Sequence, residues 1–154
     1  MNCATHFIDK KSSLFIGRDA LYPIALEGAL KLKELSYIHA EACPAGELKH
    51  GPIALVDSNM PVVALAPHHE ILFDKIKNNI SAVSARSGNL YIVTDVPEQF
   101  SGTSSYVIAM PRVPQIIYPI IYSIPLQLLA YHVAVMKGLN VDQPRNLAKS
   151  VTVE

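Results

Sequence analysis

Short apolar runs that alternate with helix-period segments constrain this chain more than any other feature. Ser13-Leu14-Phe15-Ile16-Gly17-Arg18 ends in glycine and reads as a buried strand entering a turn. Pro61-Val62-Val63-Ala64-Leu65-Ala66 shows no polar alternation, as expected of a strand covered on both faces. Leu90-Tyr91-Ile92-Val93-Thr94 and Tyr106-Val107-Ile108-Ala109-Met110 supply a third and a fourth strand. Helical periodicity fills the intervals, from about Ala20 to His39, from His69 to Arg86 and from Gln115 to Lys137, with Gly138 as the cap. The expected fold is α/β, three-layered, with a mostly parallel sheet covered by helices on both faces. Ligands in such folds sit at the carboxyl ends of strands, which points to the loops after Gly17, Ala66 and Thr94.

The ionisable groups are concentrated in Leu26 to Pro52, LEGALKLKELSYIHAEACPAGELKHGP. On a helix, Glu27, Lys31 and Glu34 fall within about 60° of one another. Leu21, Ala25, Gly28, Ala29, Leu32, Leu35 and Ser36 occupy the other arc, and their small size suits close packing on a sheet. Glu27→Lys31 is an i,i+4 pair in the favourable order, so a solvated charge stripe is one reading. The second acid–base cluster, Glu47, Lys49 and His50, follows a Pro44-Ala45-Gly46 turn. A Glu, a Lys and a His converging at a helix end could transfer protons on a polar substrate. His39 and His132 read as structural.

With 154 residues, 13 basic and 13 acidic, the chain suits one domain without the basic surplus that nucleic acid demands. No GxGxxG, GxxxxGK[ST] or metal-ligand spacing occurs. Cys3 and Cys43 read as reduced thiols, and the N-terminus lacks the apolar core of a secretory signal, so the expected location is the cytoplasm. Met1 to Lys10 is thin on periodicity and suggests a linker from a longer polypeptide. Val113 to Met136 carries no Asp, Glu, Lys or Arg and is long enough to span a membrane. Pro119, Pro125, Gln127 and His132 favour instead a helix packed on a sheet and on a partner. SGTSS at 101–105 reads as a solvated loop, and the polar tail from Val141 is expected to lack fixed structure.

ALEGALKLKE (Ala25 to Glu34), HAEACPAGELKHGP (His39 to Pro52) and DQPRNLAKSVTVE (Asp142 to Glu154) together resemble the glutamine–fructose-6-phosphate aminotransferase (isomerising), or glucosamine-6-phosphate synthase, family. The resemblance covers essentially the whole chain and implies a flavodoxin-like sugar isomerase (SIS) domain, the second of two. Its boundaries would be a linker remnant at 1–12, the SIS domain at 13–139 and a catalytic tail at 140–154. The implied reaction converts fructose 6-phosphate and glutamine-derived ammonia to glucosamine 6-phosphate, with no metal or organic cofactor. By motif position, Glu34 matches the base moving a proton between C1 and C2. His50 matches a ring-opening histidine that enters from the neighbouring subunit, and Lys149 the tail lysine that forms a Schiff base. Glu27 and Lys31 match flanking members of the cluster, and Ala148, Lys149 and Glu34 contact the sugar. The implied partners are the first SIS domain, a glutaminase domain and a second copy in a homodimer. The family's Ser/Thr-rich phosphate loop belongs to the first SIS domain. A non-catalytic sugar-phosphate-binding and dimerisation module is the alternative for the isolated chain.

Overall fold

The computed structural model describes residues 2–86, 88–103 and 105–147. Five strands, β1 (Ser12–Gly17), β2 (His39–Pro44), β3 (Pro61–Leu65), β4 (Asn89–Thr94) and β5 (Tyr106–Ala109), form one sheet. All neighbours run parallel, in the order β2-β1-β3-β4-β5. This is the flavodoxin-like order, with its switch point between β1 and β3. Three helices, α1 (Leu21–Ser36), α2 (Phe73–Ser84) and α3 (Tyr118–Met136), cover it.

Successive strand residues point to opposite faces, so each strand feeds two cores. Phe15, Val63, Leu65, Tyr91 and Val93 pack under α1 and α3. Leu14, Ile16, Val62, Ala64, Leu90 and Ile92 pack under α2 and the 3-10 turn at Ala45–His50. The inward arc of α1 is the one its sequence indicates. Leu21, Ala25, Gly28, Ala29, Leu32 and Ser36 are buried, and Leu35 lies half-buried against the same core. Ser36 Oγ also donates to the carbonyl of Ala130, tying α1 to α3.

β2 is an addition to the four strands expected. Its exposed His39 and Glu41 break the apolar run, and as the edge strand it needs only one covered side. The segment expected to be a linker also differs. Asn2–Phe7 forms a 3-10 helix that places Ala4 and Phe7 in the core, both essentially inaccessible. Two apolar side chains suffice to dock so short a piece, and so sparse a pattern has no readable period. Both cysteines are free, and burial raises the Cys43 thiol pKa to about 11.

The span 115–136 is long and apolar enough to cross a membrane by length and composition alone. Its inner face, including Tyr122, Leu126, Ala130 and Val133, is instead part of the core. The outer face carries Ile116, Ile120, Ile124, Leu128, Tyr131 and Val135, all exposed. α3 is therefore apolar on two sides, one of them covered by this chain.

At Gly28 a Cβ would lie 2.6 Å from Leu126 Cδ1 and 3.1 Å from Phe15 Cε1. A valine there must push α1 away from both α3 and the sheet. Gly28→Val is expected to lower unfolding free energy by about 1–3 kcal/mol, read as a lower urea midpoint at unchanged m-value. An unchanged midpoint would show that the helix contact is loose.

Candidate acid–base site

α1 exposes its charged stripe because its small-residue arc is committed to the sheet. Lys31 Nζ donates to Glu34 Oε2 at 2.7 Å and stands 3.7 Å from Glu27 Oε1. One ammonium thus holds two carboxylates, which fixes Glu34 in rotamer and position. All three side chains are about one-third exposed, between 28% and 38%, enough for a solute to reach them. The hydrogen bond to Glu34 is the main cause of the raised Lys31 pKa, and the nearby Glu27 adds to it. Leu26 and Leu30 are exposed apolar side chains one position before Glu27 and Lys31, so the stripe has an apolar border.

The second cluster stands elsewhere. The turn at Ala45–His50 buries Ala45 and Leu48 beneath α2, and Asn79 Nδ2 donates to the Ala45 carbonyl. This fixes the base of the turn and leaves Glu47 and His50 outside, joined through His50 Nδ1 and Glu47 Oε2 at 2.8 Å. Gly51, at φ 145°, lets the chain turn at once into the next 3-10 segment, Pro52–Leu55. His39 pairs with Glu41 on the exposed side of β2 at 3.3 Å.

The two clusters do not converge. α1 belongs to one face of the sheet and the Ala45–His50 turn to the other. No hydrogen bond or ion pair joins Glu27, Lys31 or Glu34 to His50 among the described residues. Within a single chain the two groups of side chains lie on elements packed on opposite faces of the sheet and make no contact with each other among the described residues. Ala148 and Lys149 lie outside the described residues.

A crevice does open at the switch point, lined by Arg18, Asp19, Leu65, His69, Gln115 and Tyr118. It follows the carboxyl ends of β1 and β3, two of the three places the strand pattern indicates. α1 runs back against the strands and borders this crevice with Leu21 alone, so its charged stripe lies outside. Among the described residues, no three His, Cys, Asp or Glu gather to hold a metal ion. Sequence reasoning also missed Tyr37, whose hydroxyl accepts a hydrogen bond from the Arg145 backbone N–H at 2.7 Å. The two are 108 residues apart, and no local pattern announces such a pair.

The model described as "SIS domain" matches residues 6–137. The chain is 58% identical, over 99% of its length, to glutamine–fructose-6-phosphate aminotransferase (isomerizing) of Treponema pallidum. It is 61% identical, over 98% of its length, to the same-named protein of Escherichia coli K12. It spans only 26% and 25% of those two proteins, about a quarter of each. Among solved structures, the C-terminal domain of glucosamine-fructose-6-phosphate aminotransferase from Francisella tularensis superposes with a TM-score of 0.87 at 51% identity. That match covers 91% of this chain and 40% of the other. Tagatose-6-phosphate ketose/aldose isomerase from Escherichia coli shares the fold, with a TM-score of 0.81 at 18% identity, over 94% of this chain and 41% of that one.

The paired carboxylates make Lys31 a measurable support. A lysine whose pKa is raised on folding stabilises the fold below its ordinary value of 10.5, and that contribution is lost as pH climbs through the raised value. Lys31→Met should cost about 0.5 kcal/mol near neutrality. The deficit should hold to pH 10.5 and shrink above it, as followed by urea unfolding. A deficit independent of pH across that range would mean that the alkyl stem, not the charge, is what matters.

Proposed function

We propose that this chain, which belongs to the SIS domain family, supplies the sugar-isomerising half-site of a glutamine–fructose-6-phosphate aminotransferase. The observation that carries this reading is Glu34, a half-buried carboxylate locked by the Lys31 ammonium on the outer stripe of α1. Its place in the ALEGALKLKE motif is that of the family's isomerising base, and the relatives quoted above carry that activity in their names.

The chemistry suits the groups. Lys149 condenses with the C2 carbonyl of open-chain fructose 6-phosphate, releasing water and forming an imine. The imine acidifies the C1–H bond. Ammonia then displaces the lysine, Glu34 takes the proton from C1 and returns it to C2, and C1 becomes the aldehyde of glucosamine 6-phosphate. A single carboxylate can do both transfers because the two carbons are adjacent and share a face. Lys31 and Glu27 keep Glu34 oriented without blocking it. His50, whose two ring nitrogens can donate and accept, moves a proton from the anomeric hydroxyl to the ring oxygen as the hemiketal opens. Ala148 contacts the sugar beside Lys149. No metal or organic cofactor enters this scheme.

The separation of His50 from Glu34 supports a site completed by a second copy, with His50 supplied across a homodimer. The first SIS domain would bring the sugar-phosphate loop, and a glutaminase domain the ammonia. The outer face of α3 suits such a contact, since the Francisella structure is long enough to hold a second unit of this size. Residues 140–154 act as the tail that closes on the sugar, and the cytoplasm is where phosphorylated sugar and glutamine meet. The alternative, a sugar-phosphate-binding and dimerisation module without turnover, is favoured by one observation. The crevice at the switch point has none of the four described acid–base residues in its lining.

Conversion of fructose 6-phosphate to glucose 6-phosphate by the full-length protein separates the two readings. Glu34→Gln is expected to lower the rate by about 10²–10⁴-fold, and Lys149→Ala to lower it comparably. Full activity in both variants would overturn the assignment, and binding without turnover in the parent would favour the module. For the contact surface, the 154-residue chain is expected to self-associate in a dilute sizing experiment. Ile120→Asp combined with Ile124→Asp should make it monomeric with unchanged circular dichroism. A monomeric parent would show that the outer face of α3 does not pair two copies of this chain.

A further inference from the structure

We infer that Tyr37 is the positioning residue that pins the root of the C-terminal tail to the end of the helix carrying Glu34. The inference rests on the reading above, in which the tail's Lys149 works beside Glu34.

Tyr37 caps α1 in the left-handed region, at φ 56° and ψ 28°, where its N–H reaches the Lys33 carbonyl at 3.1 Å. Glycine or asparagine is the usual occupant of such a cap, and a bulky ring is an outlier. An outlier of this kind suggests that the side chain has a use there. The ring meets one residue, Arg145, in two different ways. The phenol oxygen accepts from the Arg145 backbone N–H at 2.7 Å, and the guanidinium carbon stands 4.1 Å over the ring centroid. The first contact fixes where the backbone lies, and the second fixes the direction of the side chain. Arg145 itself is exposed, so burial does not hold it.

The path to that point is also ordered. Gly138, at φ 70°, ends α3, and Asn140 Oδ1 accepts from the N–H groups of Asp142 and Gln143 at 3.0 and 3.1 Å. This Asx turn sends the chain back over the end of α1. The tail expected from composition to lack structure is thus anchored through Arg145, and Tyr37 lies three residues beyond Glu34.

Chain length converts the anchor into a rate. Lys149 follows Arg145 by four residues, and Gln143, the last residue held by the Asx turn, by six. Effective concentration falls with roughly the −3/2 power of tether length, so releasing Arg145 dilutes the lysine amine at Glu34 by about twofold. Tyr37 touches neither sugar nor reacting atoms in this account and acts through the tail alone.

Amide hydrogen exchange on the 154-residue chain and steady-state kinetics on the full-length protein test the two halves separately. The Arg145 amide should be protected in the parent, partly exposed in Tyr37→Phe and fully exposed in Tyr37→Ala. The isomerisation kcat should fall about twofold in Tyr37→Ala, less in Tyr37→Phe, with KM for fructose 6-phosphate unchanged. Equal exchange in parent and Tyr37→Ala would remove the anchor. Lost protection with unchanged kcat, where Lys149→Ala abolishes turnover, would remove the positioning role alone. Turnover that survives Lys149→Ala would instead overturn the tail chemistry on which this inference stands.

Discussion

Every other feature of the molecule follows from an all-parallel sheet that must be covered on both faces. Parallel strands leave no solvated side, so β1, β3 and β4 are buried at nearly every position. Their alternating side chains then divide into two separate cores. α1 can approach its face closely only because Ala25, Gly28 and Ala29 present so little bulk. Close approach of that arc turns Glu27, Lys31 and Glu34 outward together. The acid–base stripe is therefore a consequence of helix packing, and Lys31 gives it a fixed geometry.

The same constraint divides the chemistry. α1 lies on one face of the sheet and the Ala45–His50 turn on the other, and no contact joins Glu34 to His50 among the described residues. Both clusters are nevertheless well supported, one by the Lys31 pairs and the other by Asn79 and the buried Leu48. On the function proposed above, groups held apart in this way belong to a site assembled between copies, each copy giving a different half. The outer face of α3 is apolar and left uncovered by this chain.

Elements with a strong period were legible before the structure. β1, β3, β4, β5 and the three helices lie close to where the apolar patterns put them, and the buried arc of α1 needs no amendment. β2 escaped because His39 and Glu41 give an edge strand the look of a polar turn. Asn2–Phe7 escaped because docking through Ala4 and Phe7 leaves no repeat. At the site, helical spacing alone disclosed the Glu27–Lys31–Glu34 stripe. Proximity in sequence suggested that His50 would join it, and the sheet between them decided otherwise. The Tyr37–Arg145 contact was out of reach, since long-range pairs of single side chains leave no local trace.

Complementation between variants tests most directly whether the site is shared between copies. Full-length Glu34→Gln and His50→Ala proteins would be prepared separately, then unfolded, mixed in equal amounts and refolded. Half of the resulting dimers combine one copy of each, and in those dimers one of the two sites has both wild-type groups. The account predicts isomerase activity near about a quarter of the wild-type level from two nearly inactive parents. A mixture no more active than its parents would contradict it and return both groups to a single chain.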